Sequence, residues 1–362
     1  MRGTLSPPPS TRLALRSAVL WPSWVLVSLV GAGFAVASAA GVGPGPVWTQ
    51  YLPFAVSLVL FGLPHGAVDH LAPARLAGRR AWPRYVLGVI LLYLILSGLY
   101  VALWYTSPVA AFVLFVALTW FHWGEGDLYS LLAITGAGYL DGGVLRLLTI
   151  FVRGGLPMLV PLLAFPEMYR STAHEVMVLF GSGEVSSLDW VFASPFRIIA
   201  GFLFATLAVG GLILGRRRSG SPEDRRAWRE DAVETIMLAG FFALVPPLFA
   251  IGLYFCLWHS LRFVARLVLL DGYSSHGKAS LLSSLASFFR DAAPHTAVAL
   301  ALLAGLYFMV PGADSAAQGL LAVYLVLISV LTLPHVVVVL WMDIKEGLFP
   351  IRRSVHRTDE PR

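Results

Sequence analysis

Four histidines of this chain lie inside long apolar runs, each in a short distinctive segment. They are His65 in GLPHGAVDH, His122 in TWFHWGEGD, His259 in CLWHSLRF and His335 in LTLPHVVVV. Ionisable groups within a run long enough to cross a bilayer are costly, so each asks for a function and a partner. Neutral imidazole is a ligand for iron, copper, zinc or nickel, and a metal-bound imidazole usually hands its second N–H to a carboxylate or carbonyl. Asp69 stands four residues after His65 and Glu125 three after His122, both on the same helix face as their histidine; Asp127 lies just beyond. Pro64 and Pro334 directly precede histidines and can free a backbone carbonyl. Gly62, Gly66, Gly124 and Gly126 permit close helix approach. His70 is five residues from His65, off its face and nearer the end of the run; it reads as an interfacial group, or one behind the metal or against a substrate. His295 follows Pro294 and reads as a helix-start residue, and Arg262 and Arg266 as side chains snorkelling to headgroups. Arg262 shares a stripe with His259, so a role at the site is open to it too. Trp120, Trp123, Tyr254, Trp258 and Phe263 flank the histidines in sequence; core packing explains them, or else the lining of a tunnel for a long apolar molecule.

The elements that must position these residues follow from composition. Of 362 residues 57% are hydrophobic and 13% charged, about half the charge of a typical soluble domain. The apolar runs are continuous and recur from end to end. The expectation is therefore an all-α polytopic transmembrane bundle in one domain, residues 18–345, flanked by a disordered cytoplasmic tail at 1–17 and another tail at 346–362. Spans are placed near 18–40, 48–71, 84–106, 108–131, 145–165, 195–214, 232–249, 250–270, 294–311 and 319–342, about ten within a range of eight to ten. Residues 166–194 read as a loop or interfacial helix. The net charge of +6 comes from basic residues beside the runs, as positive-inside topology produces, with both termini cytoplasmic and no role for nucleic acid. The single cysteine, Cys256, excludes an internal disulfide and any cysteine-based metal cluster.

In this topology the four histidine spans all run inward. His65, His122 and His335 lie about two-thirds of the way along their spans and His259 near the middle of its own. Four imidazoles from four helices can thus meet at one depth, as metal sites in helical bundles do.

At PHGAVDH (64–70), FHWGEGD (121–127), WHSLRF (258–263) and LPHVVVV (333–339) the sequence resembles the bacteriorhodopsin-related Brp/Blh family of membrane β-carotene 15,15′-dioxygenases. The resemblance implies a non-haem Fe(II) site that uses O2 to cleave β-carotene into two molecules of all-trans-retinal in the cell membrane, often to supply a retinal-binding rhodopsin. On this pattern His65, His122 and His259 match iron-ligand positions. The family often carries a further histidine where this chain has Phe263, so His335, placed by depth, is the expected fourth ligand. Asp69, Glu125, Asp127 and His70 are the expected groups behind the ligands. A proton- or ion-coupled transporter using the same His/Asp/Glu cluster is the alternative; no internal repeat speaks for it. A rhodopsin is excluded, since Lys278 and Lys345 both fall between or after spans.

Overall fold

The computed structural model describes residues 5, 7–43, 45–76, 83–181, 185–270, 278–309 and 316–349. Among the described residues there are helices and no strand. Nine helical segments among the described residues are long and apolar enough to cross a membrane: α1 (Pro9–Ala39), α2 (Trp48–Ala74), α3 (Pro83–Thr106), α4 (Pro108–Thr135), α5 (Gly143–Ala164), α7 (Ser194–Arg218), α9 (Pro247–Leu267), α10 (Ser283–Phe308) and α11 (Gly319–Glu346). Two further α-helices among the described residues are α6 (Pro166–Val178) and α8 (Pro222–Leu244). The chain is a multi-pass membrane helix bundle.

Local chemistry explains several departures from expectation. The first helix begins at Pro9, inside the stretch expected to be a disordered tail, because proline is well suited to the first turn of a helix. The expected tail at 346–362 lies outside the described residues from 350 on. The expected spans 232–249 and 250–270 resolve differently. Val245 and Pro246 separate α9 from α8, which starts at Pro222 behind a Ser221 N-cap and carries too many charges in its first half to be an apolar span. The His295 helix runs straight through Pro294, so His295 is not at a helix start.

The span around His65 is broken. Helix gives way at Leu60, with ψ of −111°, and resumes for one turn at Gly62–Gly66 before a 3-10 turn at Asp69–Leu71. Gly62 is needed there: a Cβ would meet the Ser57 carbonyl oxygen at 2.5 Å. His65 lies on the single turn that follows this break. α4 and α5 cross closely for a similar reason, since a Cβ on Gly124 would press into the Ile150 carbonyl and one on Gly154 into that of Trp120.

Buried charges are paired. Arg153 of α5 donates to Asp231 and Glu234 of α8, each at 2.8 Å, and approaches Asp127 of α4 at 3.4 Å. Arg262 of α9 pairs with Glu234 at 2.7 Å and lies over the Trp258 ring at 3.6 Å. Arg266 pairs with Asp343 at 2.6 Å and with Glu346 of α11. Neither Arg262 nor Arg266 snorkels; both are buried. Isolated charges at such depth would cost several kcal/mol each, so this network specifies which helices must be neighbours.

Candidate metal centre

The four histidines meet. His122 Nε2 lies 3.1 Å from His259 Nε2 and 3.1 Å from His335 Nε2. The His65 ring stands edge-on to those of His335 and His259, at 4.9 and 5.6 Å between centroids. His65, His122 and His335 offer ligand atoms all within 4.8 Å of one another. All four imidazoles are buried.

The outer nitrogens decide what the inner ones present. His335 Nδ1 donates to Asp69 Oδ2 at 2.7 Å, and Tyr93 donates to the same oxygen at 2.6 Å. His122 Nδ1 donates to Glu125 Oε1 at 3.1 Å. His65 Nδ1 faces the carbonyls of Gly62 and Phe61 and the hydroxyl of Ser260, itself committed to the Phe255 carbonyl. With Nδ1 protonated in each, the Nε2 atoms of His65, His122 and His335 carry bare lone pairs. Lone pairs of His122 and His335 facing at 3.1 Å repel unless a cation lies between them. Metal–imidazole bonds of about 2.1 Å at right angles separate two ligand nitrogens by about 3.0 Å, so the spacing fits one metal ion. The donor set is neutral and all-nitrogen, which suits iron, copper or zinc.

Each ligand candidate owes its place to a local device. His65 sits on the single turn after the break in α2. His259 ends a π-helical turn, Phe255–His259, a distortion common at functional sites. Its ring lies against Gly126, where a Cβ would come within 3.3 Å of it. His335 follows Pro334 inside α11.

The other expected residues separate. Asp69 and Glu125 each bond a histidine Nδ1, and Asp69 bonds that of His335, not of its sequence neighbour His65. Asp127 is turned away: it accepts from Trp258 Nε1 at 3.1 Å and faces Arg153. His70 is not behind a ligand either. Its Nδ1 bonds the Ala67 carbonyl and its ring packs on that of His295, tilted by 33° with centroids 4.1 Å apart. Phe263 packs on His65, His335 and His122 with ring centroids 5.4, 5.2 and 6.5 Å away.

An apolar cavity of about 590 Å³ reaches the cluster and is lined by all four histidines. Of the five aromatics expected along a tunnel, only Trp123 lines it. Trp120 donates to the Phe151 carbonyl and packs on Phe204 of α7. Tyr254 and Trp258 are wholly buried, stacked on each other. Phe263 closes the cluster with carbon on a side that the cavity does not reach. The lining comes instead from residues such as Tyr93, Phe112, Phe115, Phe255, Ile328 and Leu331. Tyr93 and Ser260 carry no sequence signal of their own, and His295, read as a helix-start residue, lines the cavity. For His295 a signal existed, since Pro294–His295 repeats the Pro–His pairs at 64–65 and 334–335.

The model of the beta-carotene 15,15′-dioxygenase family matches residues 56–343, a stretch containing all four histidines. A probable beta-carotene 15,15′-dioxygenase, Blh, of Halobacterium salinarum is 46% identical over 339 residues, covering 93% of this chain and 95% of its own. A second protein of the same organism, the probable beta-carotene 15,15′-dioxygenase Brp, is 30% identical over 358 residues, covering 91% and 97%. No solved structure matches the chain. The chain belongs to the beta-carotene 15,15′-dioxygenase family.

Proposed function

We propose that this protein cleaves the central 15,15′ double bond of β-carotene with O2, giving two molecules of all-trans-retinal, at a non-haem Fe(II) held by His65, His122, His259 and His335 within the cell membrane. The observation that carries the reading is the meeting of histidine Nε2 atoms at an apolar cavity. Bound iron would supply the activation of O2 that a closed-shell hydrocarbon otherwise resists. The chain's own residues do the rest. Asp69, with Tyr93 on the same oxygen, and Glu125 hold two imidazoles in the tautomer that aims Nε2 inward. The carbonyls of Phe61 and Gly62 do so for His65. No carboxylate is a ligand in this reading, so the site keeps the metal's positive charge and leaves positions open.

The cavity walls bind by shape and apolar contact, the only handles a hydrocarbon polyene offers, and exclude water from the reacting oxygen. Both atoms of O2 end in the two aldehydes as the C=C bond breaks, so no outside reductant is required. Lipid delivers the substrate, and the retinal product is suited to a retinal-binding rhodopsin. The transporter alternative has less support, because Glu125 and Asp127 do not line the cavity and Asp127 is committed to Arg153 and Trp258.

The test is expression in cells that accumulate β-carotene, followed by extraction and chromatography, with iron analysis of the purified protein. Retinal in place of orange pigment is expected. Well-expressed protein, intact pigment and no retinal would overturn the proposal.

A further inference from the structure

Most threonines in the described helices bond the hydroxyl back to the carbonyl four residues earlier. Thr135, Thr149, Thr172, Thr235 and Thr332 all do so, at 2.6 to 3.0 Å. Thr296, which does not line the cavity, is one exception, and Thr119 is another. It is 5% exposed, its Oγ1 is buried without any protein partner, and it lines the cavity. Three cavity-lining residues carry such an unpartnered buried atom: Thr119, Asp69 and His295. Asp69 already holds His335 and Tyr93 through its other oxygen, and His295 packs on His70. Thr119 is three residues before His122 on α4, on the same face and about 5–6 Å away between Cβ atoms. His122 is the imidazole whose Nε2 touches two others.

A hydrocarbon substrate gives a hydroxyl nothing to bond, and leaving a buried hydroxyl unpaired is costly. We propose that Thr119 is a positioning and hydrogen-bond-donating residue whose partner is an oxygen acceptor beside the histidine cluster, either dioxygen or the aldehyde oxygen of the product. The inference rests on the function proposed above. The hydroxyl transfers no proton; it donates to oxygen that gains negative charge, in a site kept free of competing water.

The experiment compares Thr119→Val, which keeps the shape, with Thr119→Ser, which keeps the hydroxyl, in the iron-loaded detergent-solubilised protein. Iron content and melting temperature should match wild type in both. Turnover should fall about 10- to 100-fold in Thr119→Val and stay near wild type in Thr119→Ser. Nitric oxide, a dioxygen surrogate, separates the two sources. A changed affinity or paramagnetic spectrum of the nitric oxide adduct in Thr119→Val, with retinal inhibition unchanged, assigns dioxygen. Weaker inhibition by retinal with an unchanged nitric oxide adduct assigns the aldehyde. Full turnover in Thr119→Val with neither altered overturns the proposal, as does a loss in Thr119→Ser equal to that in Thr119→Val. If wild type makes no retinal, the proposed function fails, whereas the nitric oxide comparison still reports on the hydroxyl.

Discussion

The Asp69 carboxylate offers the sharpest test of how the site is held. It is 2% exposed and accepts two hydrogen bonds on one oxygen, 2.7 Å from His335 Nδ1 and 2.6 Å from the Tyr93 hydroxyl. Truncation in Asp69→Ala strands both donors in an apolar surrounding. At about 1–3 kcal/mol for each unpaired buried group, the loss is roughly 2–6 kcal/mol, enough to threaten a marginally stable fold. Asp69→Asn is the finer instrument. The amide oxygen still accepts, so the stability loss should shrink to about 1–2 kcal/mol, but the neutral amide no longer makes the His335 imidazole a stronger base. Loss of such an oriented partner lowers metal affinity about 10- to 100-fold, equivalent to about 1.4–2.7 kcal/mol. The assay is iron retained against graded chelator, alongside melting in detergent. Tyr93→Phe, which frees the carboxylate from one donor, should leave iron retention within a few-fold of wild type. Were Asp69→Asn to melt like wild type and hold iron equally well at every chelator concentration, the role given to Asp69, and His335 as a ligand with it, would be refuted.

Arg153→Met should be among the most damaging single changes in the protein, costing about 3–5 kcal/mol, because Asp231 loses its buried cation and Asp127 the nearer of its two. Adding Asp231→Asn should recover part of the loss, and unchanged melting in the single variant would contradict the network's role. Phe263→His places an imidazole where the present ring already packs on His65 and His335. It should slow iron loss to chelator, and faster loss would mean that Phe263 serves only by its packing.

Much of this architecture was readable from residue type and order alone. The apolar runs located most spans, since a bilayer imposes a length and removes charge. The four histidines followed because hydropathy fixed each one's depth independently of any motif. What hydropathy could not supply was the face each residue occupies. Trp120 precedes His122 by two residues, a rotation of roughly 200° that points it away from the cluster and into α7. Phe263 follows His259 by one helical turn and therefore packs on the imidazoles. Nearness in sequence to a ligand was the wrong measure; angular position was the right one. The arginines failed for another reason: the partners of Arg262 and Arg266 come from α8 and α11, and no local pattern announces a contact between distant helices.

The break in α2 and the π turn in α9 mark where regular helix is given up, and both lie at histidines. A regular α2 would align His65 and Asp69 on one face as neighbours, the relation their spacing suggests. With the helix ending at Gly66 and the chain turning through a 3-10 segment at Asp69–Leu71, the two residues leave that register. His65 then takes its support from the backbone carbonyls that the break exposes, and Asp69 is released to hold His335 across the bundle. Irregular backbone at such depth is tolerable only where its polar groups find partners in protein, and here one partner is the imidazole itself. The local distortion and the long-range pairing are thus parts of one arrangement. It brings His335, which no acid on its own helix supports, into the cluster on the side that Phe263 leaves without a ligand.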